Sequence, residues 1–294
     1  MWRNSIGRPD RADALSTRWR RLTRLSLTLA LAAIVPAWSL GCSPAATAHG
    51  AVSATSGLPP GSVLPPSSVL APGSALPPGS PLPDDATCAA RVQPASEVRP
   101  DNAPYNMTRG TQKNLTGPTP MFSRVDGNFT GTTDEIIQWT ACKWGIDVDI
   151  VRAQAVIESF WHQQTLSDTT SNAAVCAPHH PIGSDAKHPG QCPESVGLLQ
   201  VRYQYWTNGF DEVETSTAYN SDYAYAAWRS CYDGEDTWLN TAERVGTYGP
   251  GDTWGCVGLW FAGRWHTSPA ETYISKVKDA LQQRTWTTAS FARG

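Results

Sequence analysis

The chain has 294 residues, a formal charge of −3, seven cysteines and thirteen tryptophans. That length suits one or two domains. Charge divides unevenly: residues 1–42 hold seven Arg and two acids, whereas residues 43–294 hold 16 basic and 24 acidic residues. An acidic body of this kind argues against nucleic acid as a partner.

Residues 1–42 read as an export signal. Basic RWRRLTR at 18–24 precedes apolar LSLTLALAAIV at 25–35, and AWSLGC ends at Cys42. The apolar run is too short to span a bilayer. Leu40-Gly41-Cys42 resembles the bacterial lipobox, whose cysteine is lipidated, with Ser39 where that motif usually has Leu. Two outcomes follow: a lipoprotein anchored to the membrane through Cys42 in the cell envelope, or simple secretion. Arg20-Arg21 suggests twin-arginine export, but the residues after it fit poorly. Without Cys42 six cysteines remain, an even set that reads as disulfides in an exported chain. Six cysteines allow 15 pairings. Cys176–Cys192 is the first choice because the segment between them looks like a closed loop. Cys231–Cys256 is the second, which leaves Cys88–Cys142.

Residues 43–87 form a Pro/Gly/Ser-rich linker. Within it LPPGSV, LPPSSV, LAPGSA and LPPGSP repeat from residue 58. Proline at this density blocks helix and sheet ladders, so the segment is expected to be a disordered, extended tether. Residues 88–294 are expected to form one mainly α domain, with a loop-like start over 88–130. Thr132-Thr133 with Asp-Glu behind them start a helix that stops at Gly145. Asp147 caps a second, VDIVRAQAVIES, apolar almost all round and therefore buried. A third runs from about 216 to 231 before Asp233-Gly234. A fourth starts at Ser268 with Pro269 in its first turn and Glu271 completing a capping box; Tyr273, Val277 and Leu281 form its stripe. Strand signals are thin.

Glu158 stands at the C-terminal end of the second helix, among Ile157, Phe160 and Trp161. The helix dipole and the apolar neighbours both disfavour a charged carboxylate there. A glutamate kept protonated in this way can serve as a general acid, whereas most helical glutamates are solvated or paired with arginine.

The order WGID-x-DIVRAQAVIES (144–159), then GLLQV (197–201), resembles the soluble lytic transglycosylases and goose-type lysozymes over about residues 130–285. That family has a helix ending in Glu-Ser, here Glu158-Ser159. A Gly-Leu-Met-Gln turn follows, here Gly197-Leu198-Leu199-Gln200. The resemblance implies a lysozyme-like helical fold with a saccharide cleft, acting on peptidoglycan glycan strands. Glu158 would be the sole acid/base, and Ser159, Trp161, Leu199, Gln200 and Trp260 would contact substrate. No cofactor or metal is implied, and the chain is expected to be monomeric. Two departures stand out. Thirty-seven residues separate Ser159 from Gly197. The family's Ala-Tyr-Asn-x-Gly motif has its counterpart in Leu259-Trp260-Phe261-Ala262-Gly263, without the tyrosine. These leave open a lysozyme- or chitinase-type hydrolase on the same fold, or a non-catalytic wall-binding lipoprotein. Glu194 and Asp222 are candidates for a second carboxylate, with helix capping and ion pairing as their plainer roles. His179, His180 and His188 lie between Cys176 and Cys192 in a spacing that matches no zinc module, which favours a disulfide-closed lid over a metal site.

Overall fold

A computed structural model describes residues 70–112, 114–240 and 247–294. The signal segment, Cys42 and residues 43–69 of the linker lie outside the described residues. All described residues fall in one compact unit.

Short helices come first: α1 (Asp85–Ala89) and α2 (Ala103–Asn106). The helices expected from the sequence follow. α3 (Thr133–Trp144) opens on a capping box in which Thr132 and Glu135 satisfy each other's backbone. α4 (Val148–Ser159) is capped by Asp147, whose side chain accepts from Asp149 N. Strands β1 (Leu166–Thr170), β2 (Cys192–Val196) and β3 (Val201–Arg202) form an antiparallel sheet in that order. Leu166 pairs with Val196, and Val196 with Val201. Then come α5 (Phe210–Thr215), α6 (Thr217–Tyr232), α7 (Thr253–Ala262), α8 (Ser268–Gln283) and α9 (Ala289–Arg293). The described part is mainly helical. No helix among the described residues is long and apolar enough to cross a membrane.

α3 packs on α6, α4 on α8, and α7 on both α6 and α8. Trp139, Trp144, Ile150, Tyr223, Val257 and Val277 fill the space between them. Burying such side chains is the main term favouring the fold, at roughly 1.5–3 kcal/mol each. Three disulfides, Cys88–Cys142, Cys176–Cys192 and Cys231–Cys256, close loops of 54, 16 and 25 residues.

Two expectations are corrected here. At the start of α8 the cap position is Thr267, not Ser268, and no side chain caps it. With Thr267 as the cap the third helical position is Ala270, so Glu271 is out of register for a capping box and pairs with His266 instead. The second correction concerns the linker. From Leu70 onward the repeat is part of the fold. Ala71-Pro72-Gly73-Ser74 and Pro77-Pro78-Gly79-Ser80 each make a turn, with Ser74 N donating to Ala71 O and Ser80 N to Pro77 O. Proline presets the first central residue, and glycine supplies the positive φ of the second, 78° at Gly73 and 73° at Gly79. Leu76 is buried, and its N–H donates to Gly145 O at 2.7 Å. Buried Arg229 donates to Leu76 O at 3.0 Å and Pro77 O at 2.9 Å. Gly73 N donates to Asp147 Oδ2 at 2.6 Å, which ties the strap to the cap of α4. Proline removed the strap's own ladder bonds, and the domain supplies replacements.

Candidate active site

Glu158 occupies the last turn of α4 and is half-buried. Tyr273 reaches it from α8, donating its hydroxyl to Glu158 Oε1 at 2.6 Å. The Tyr273 ring stacks on Phe261 of α7, with centroids 4.7 Å apart and planes 3° from parallel. Tyr225 of α6 is buried one helical turn back and donates to Gln154 Oε1 at 2.8 Å. Burial, then the Glu158 charge, then that of Asp147, push the Tyr225 phenol well above its usual pKa. The carboxylate thus bonds α8 directly and lies close enough to Tyr225 of α6 to act on its phenol.

The Gly197-Leu198-Leu199-Gln200 segment is the turn joining β2 to β3. Side chains from elsewhere hold its backbone. Ser159 Oγ donates to Leu198 O at 2.7 Å, so the residue after Glu158 bonds the turn directly. Leu198 N donates to Gln163 Oε1 at 3.0 Å, and Leu199 N to Asn220 Oδ1 at 2.9 Å. Trp260 Nε1 donates to Leu199 O at 3.0 Å. Gln200 Nε2 donates to Gly197 O at 2.7 Å and Thr165 O at 2.9 Å, and Ser167 Oγ bonds Gln200 Oε1. Gly197 is required here: its φ is 88°, and a Cβ would lie 2.0 Å from Asn220 Nδ2. Paired buried polar groups of this kind rigidify a segment and are costly to break.

This arrangement redistributes the expected substrate contacts. Ser159, Leu199 and Gln200 are all buried and turned inward, so they build the turn rather than present a surface. Trp161 is packed inside the domain rather than presented at its surface. It is 2% exposed, its ring stands edge-on to Phe291, and its Nε1 donates to Arg152 O. The cause is a left-handed backbone at Phe160 and Trp161, which folds the chain back after the helix. Trp260 is half-buried and lies nearly parallel to Trp206, centroids 6.3 Å apart. Tyr273 was visible in the sequence only as part of a core stripe. Gln163 and Asn220 carried no sequence signal beyond being polar residues beside apolar runs.

Both candidate second carboxylates are ion-paired and buried. Glu194 faces Arg202 at 2.5 Å, and burial raises its pKa against the pull of that arginine. Asp222 accepts from Lys143, Trp144 Nε1, Asp126 N and Gly127 N. Lys143 also pairs with Asp85 at 2.9 Å and Asp126 at 2.8 Å. The cavity beside that cluster, about 240 Å³, includes Asp84, Arg124 and Lys143 in its lining and shares no residue with the Glu158 site.

The Cys176–Cys192 loop is fastened to α5. His180 pairs with Glu214 at 2.6 Å and His179 with Asp211 at 3.6 Å, while His188 pairs with Asp185 inside the loop. Each histidine thus has a different carboxylate. No cluster of three or more His, Cys, Asp or Glu suited to a metal occurs among the described residues. Comparison with protein-family models, with curated proteins and with solved structures finds no match for this chain.

Proposed function

We propose that the chain is an exported enzyme that cleaves the glycan strand of peptidoglycan between N-acetylmuramic acid and N-acetylglucosamine, with Glu158 as general acid and then base. The observation that carries this reading is the joining of Glu158-Ser159 to the Gly197–Gln200 turn by the Ser159–Leu198 hydrogen bond, with Tyr273 holding the carboxylate. Two segments 37 residues apart in sequence that resemble one family's motifs meet through Ser159, the residue next to the carboxylate.

The chemistry follows from that single group. Protonated Glu158 gives its proton to the glycosidic oxygen, and the bond to the anomeric carbon breaks as the proton transfers. The substrate's acetamide shields the cationic centre in place of a carboxylate nucleophile, one of the known exceptions to the two-carboxylate scheme. Glu158, now ionised, takes the proton of the muramic acid 6-hydroxyl as that oxygen closes on the anomeric carbon, giving a 1,6-anhydro end. Glu194 and Asp222 each already bond a cation, which favours this one-carboxylate route over a second acid facing Glu158. Cys42 acylation would place the enzyme at the membrane, and the three disulfides suit an oxidising compartment.

The test is Glu158→Gln in a cell-wall turbidity assay. The variant is expected to fold with an unchanged far-UV spectrum and to clear no wall. Wild-type rates in the folded variant would refute the assignment.

A further inference from the structure

The helix carrying Glu158 ends in two successive left-handed residues, Phe160 (φ 57°, ψ 31°) and Trp161 (φ 67°). Neither is glycine. Holding such residues there costs on the order of 1–3 kcal/mol each and persists only where surrounding groups over-determine it. Two buried side chains from the segment before α2 do so. Arg99, 2% exposed, donates Nε to Phe160 O at 2.9 Å and Nη2 to Phe291 O at 2.7 Å. Its guanidinium carbon lies 4.0 Å from the Phe291 ring centroid and 5.1 Å from that of Phe160. Asn102 donates Nδ2 to Trp161 O at 2.7 Å and accepts from Gln163 N at 2.8 Å. Gln163 in turn holds Leu198 N, so the clamp continues into the Gly197–Gln200 turn.

Burying an arginine is costly, and here burial lowers its pKa against the pull of Asp101 and Glu97. Its return is geometric. A planar guanidinium can bond two carbonyls and stack on two rings at once, which an ammonium cannot. We infer that Arg99 is a positioning residue for Glu158: by locking the left-handed turn directly after Glu158-Ser159, it fixes the direction of the carboxylate towards Tyr273. The inference rests on the proposed role of Glu158. It adds a residue that lies outside the 130–285 stretch with a family resemblance.

The experiment measures kcat and KM on purified peptidoglycan for the full chain, for Arg99→Lys, and for Arg99→Lys combined with Phe160→Gly. Misplacing a catalytic group by about 1 Å can cost about 100-fold, so Arg99→Lys is expected to lose about 10- to 100-fold in kcat with KM nearly unchanged. Glycine adopts the left-handed conformation without a clamp, so adding Phe160→Gly is expected to restore kcat at least about fivefold, although it removes the ring that packs on Phe291. A merely structural arginine gives the opposite pattern: the double variant melts lower and regains no kcat. Full kcat in folded Arg99→Lys, or a loss that glycine does not relieve, overturns the inference. If Arg99→Lys alone does not fold, a folded and active double variant supports it, and an unfolded one overturns it. Wild-type inactivity defeats the proposed function and this inference together. Activity lost in Glu158→Gln but kept in Arg99→Lys defeats this inference alone.

Discussion

Tyr273 sits 115 residues beyond Glu158 yet touches it. A hydrogen bond to a charged or charging group contributes about 1.5–3 kcal/mol. If that bond is made more fully in the transition state, Tyr273→Phe should lower kcat by about 10- to 100-fold and leave KM and the folded spectrum intact. An unchanged kcat would reduce Tyr273 to a packing role against Phe261. The half-buried place of Glu158 at the end of α4 was legible in the sequence, because that helix is apolar almost all round and closes on Phe160-Trp161. Its partners were less so. Trp161 looked like a groove residue because it follows the acid, but nothing in Phe160-Trp161 signals a positive φ. Ser159 and Gln200 were expected to meet substrate, whereas their hydrogen bonds go to the turn's own backbone and its strand neighbours. Sequence order cannot say which of two polar partners, a ligand or a backbone carbonyl, a side chain will choose.

At the scale of elements, helices α3, α4, α6 and α8 were readable from caps and apolar spacing, because those signals are local. The sheet was not, since β1 is polar and β3 has two residues. α7 was missed as a helix because TWGCVGLWFA is apolar on every side and shows no amphipathic period. Besides packing on α8, it is linked to that helix by His266, which bonds Asp252 at the cap of α7 and Glu271 in the first turn of α8. Burial pulls the His266 pKa down, but the hydrogen bonds to Glu271 and Asp252 outweigh it and raise it above 6.5. The protonated form is thus favoured by folding. Its stabilisation is complete below pH 6.5 and is lost as pH rises through the higher folded-state value. Urea midpoints should therefore fall across that window for the wild type, and the fall should flatten in His266→Gln. Equal slopes for the two proteins would remove His266 from the account of stability.

For the whole molecule, the main revision is where the folded part begins. Composition placed the boundary at Cys88, because Leu-Pro-Pro-Gly-Ser states a backbone preference but not what the backbone will touch. Docking from Leu70 shortens by eighteen residues the length that could act as a tether between Cys42 and the domain. It also makes the strap a source of stability. Removing a buried leucine side chain costs about 2–5 kcal/mol, so Leu76→Ala should lower the denaturant midpoint clearly. A chain starting at Asp84 should lose at least as much. No shift in either would mean the strap adds nothing to the fold. The disulfides act on the same scale: closing the 54-residue Cys88–Cys142 loop is worth about 4 kcal/mol by chain entropy.

Fragments released from purified peptidoglycan, analysed by mass spectrometry for wild type beside Glu158→Gln, give the most direct measurement. Proton transfer by Glu158 with closure of the 6-hydroxyl predicts muropeptides ending in 1,6-anhydro-N-acetylmuramic acid from the wild type and none from the folded variant. Equal release by the variant, or intact wall after prolonged exposure to the wild type, would contradict it.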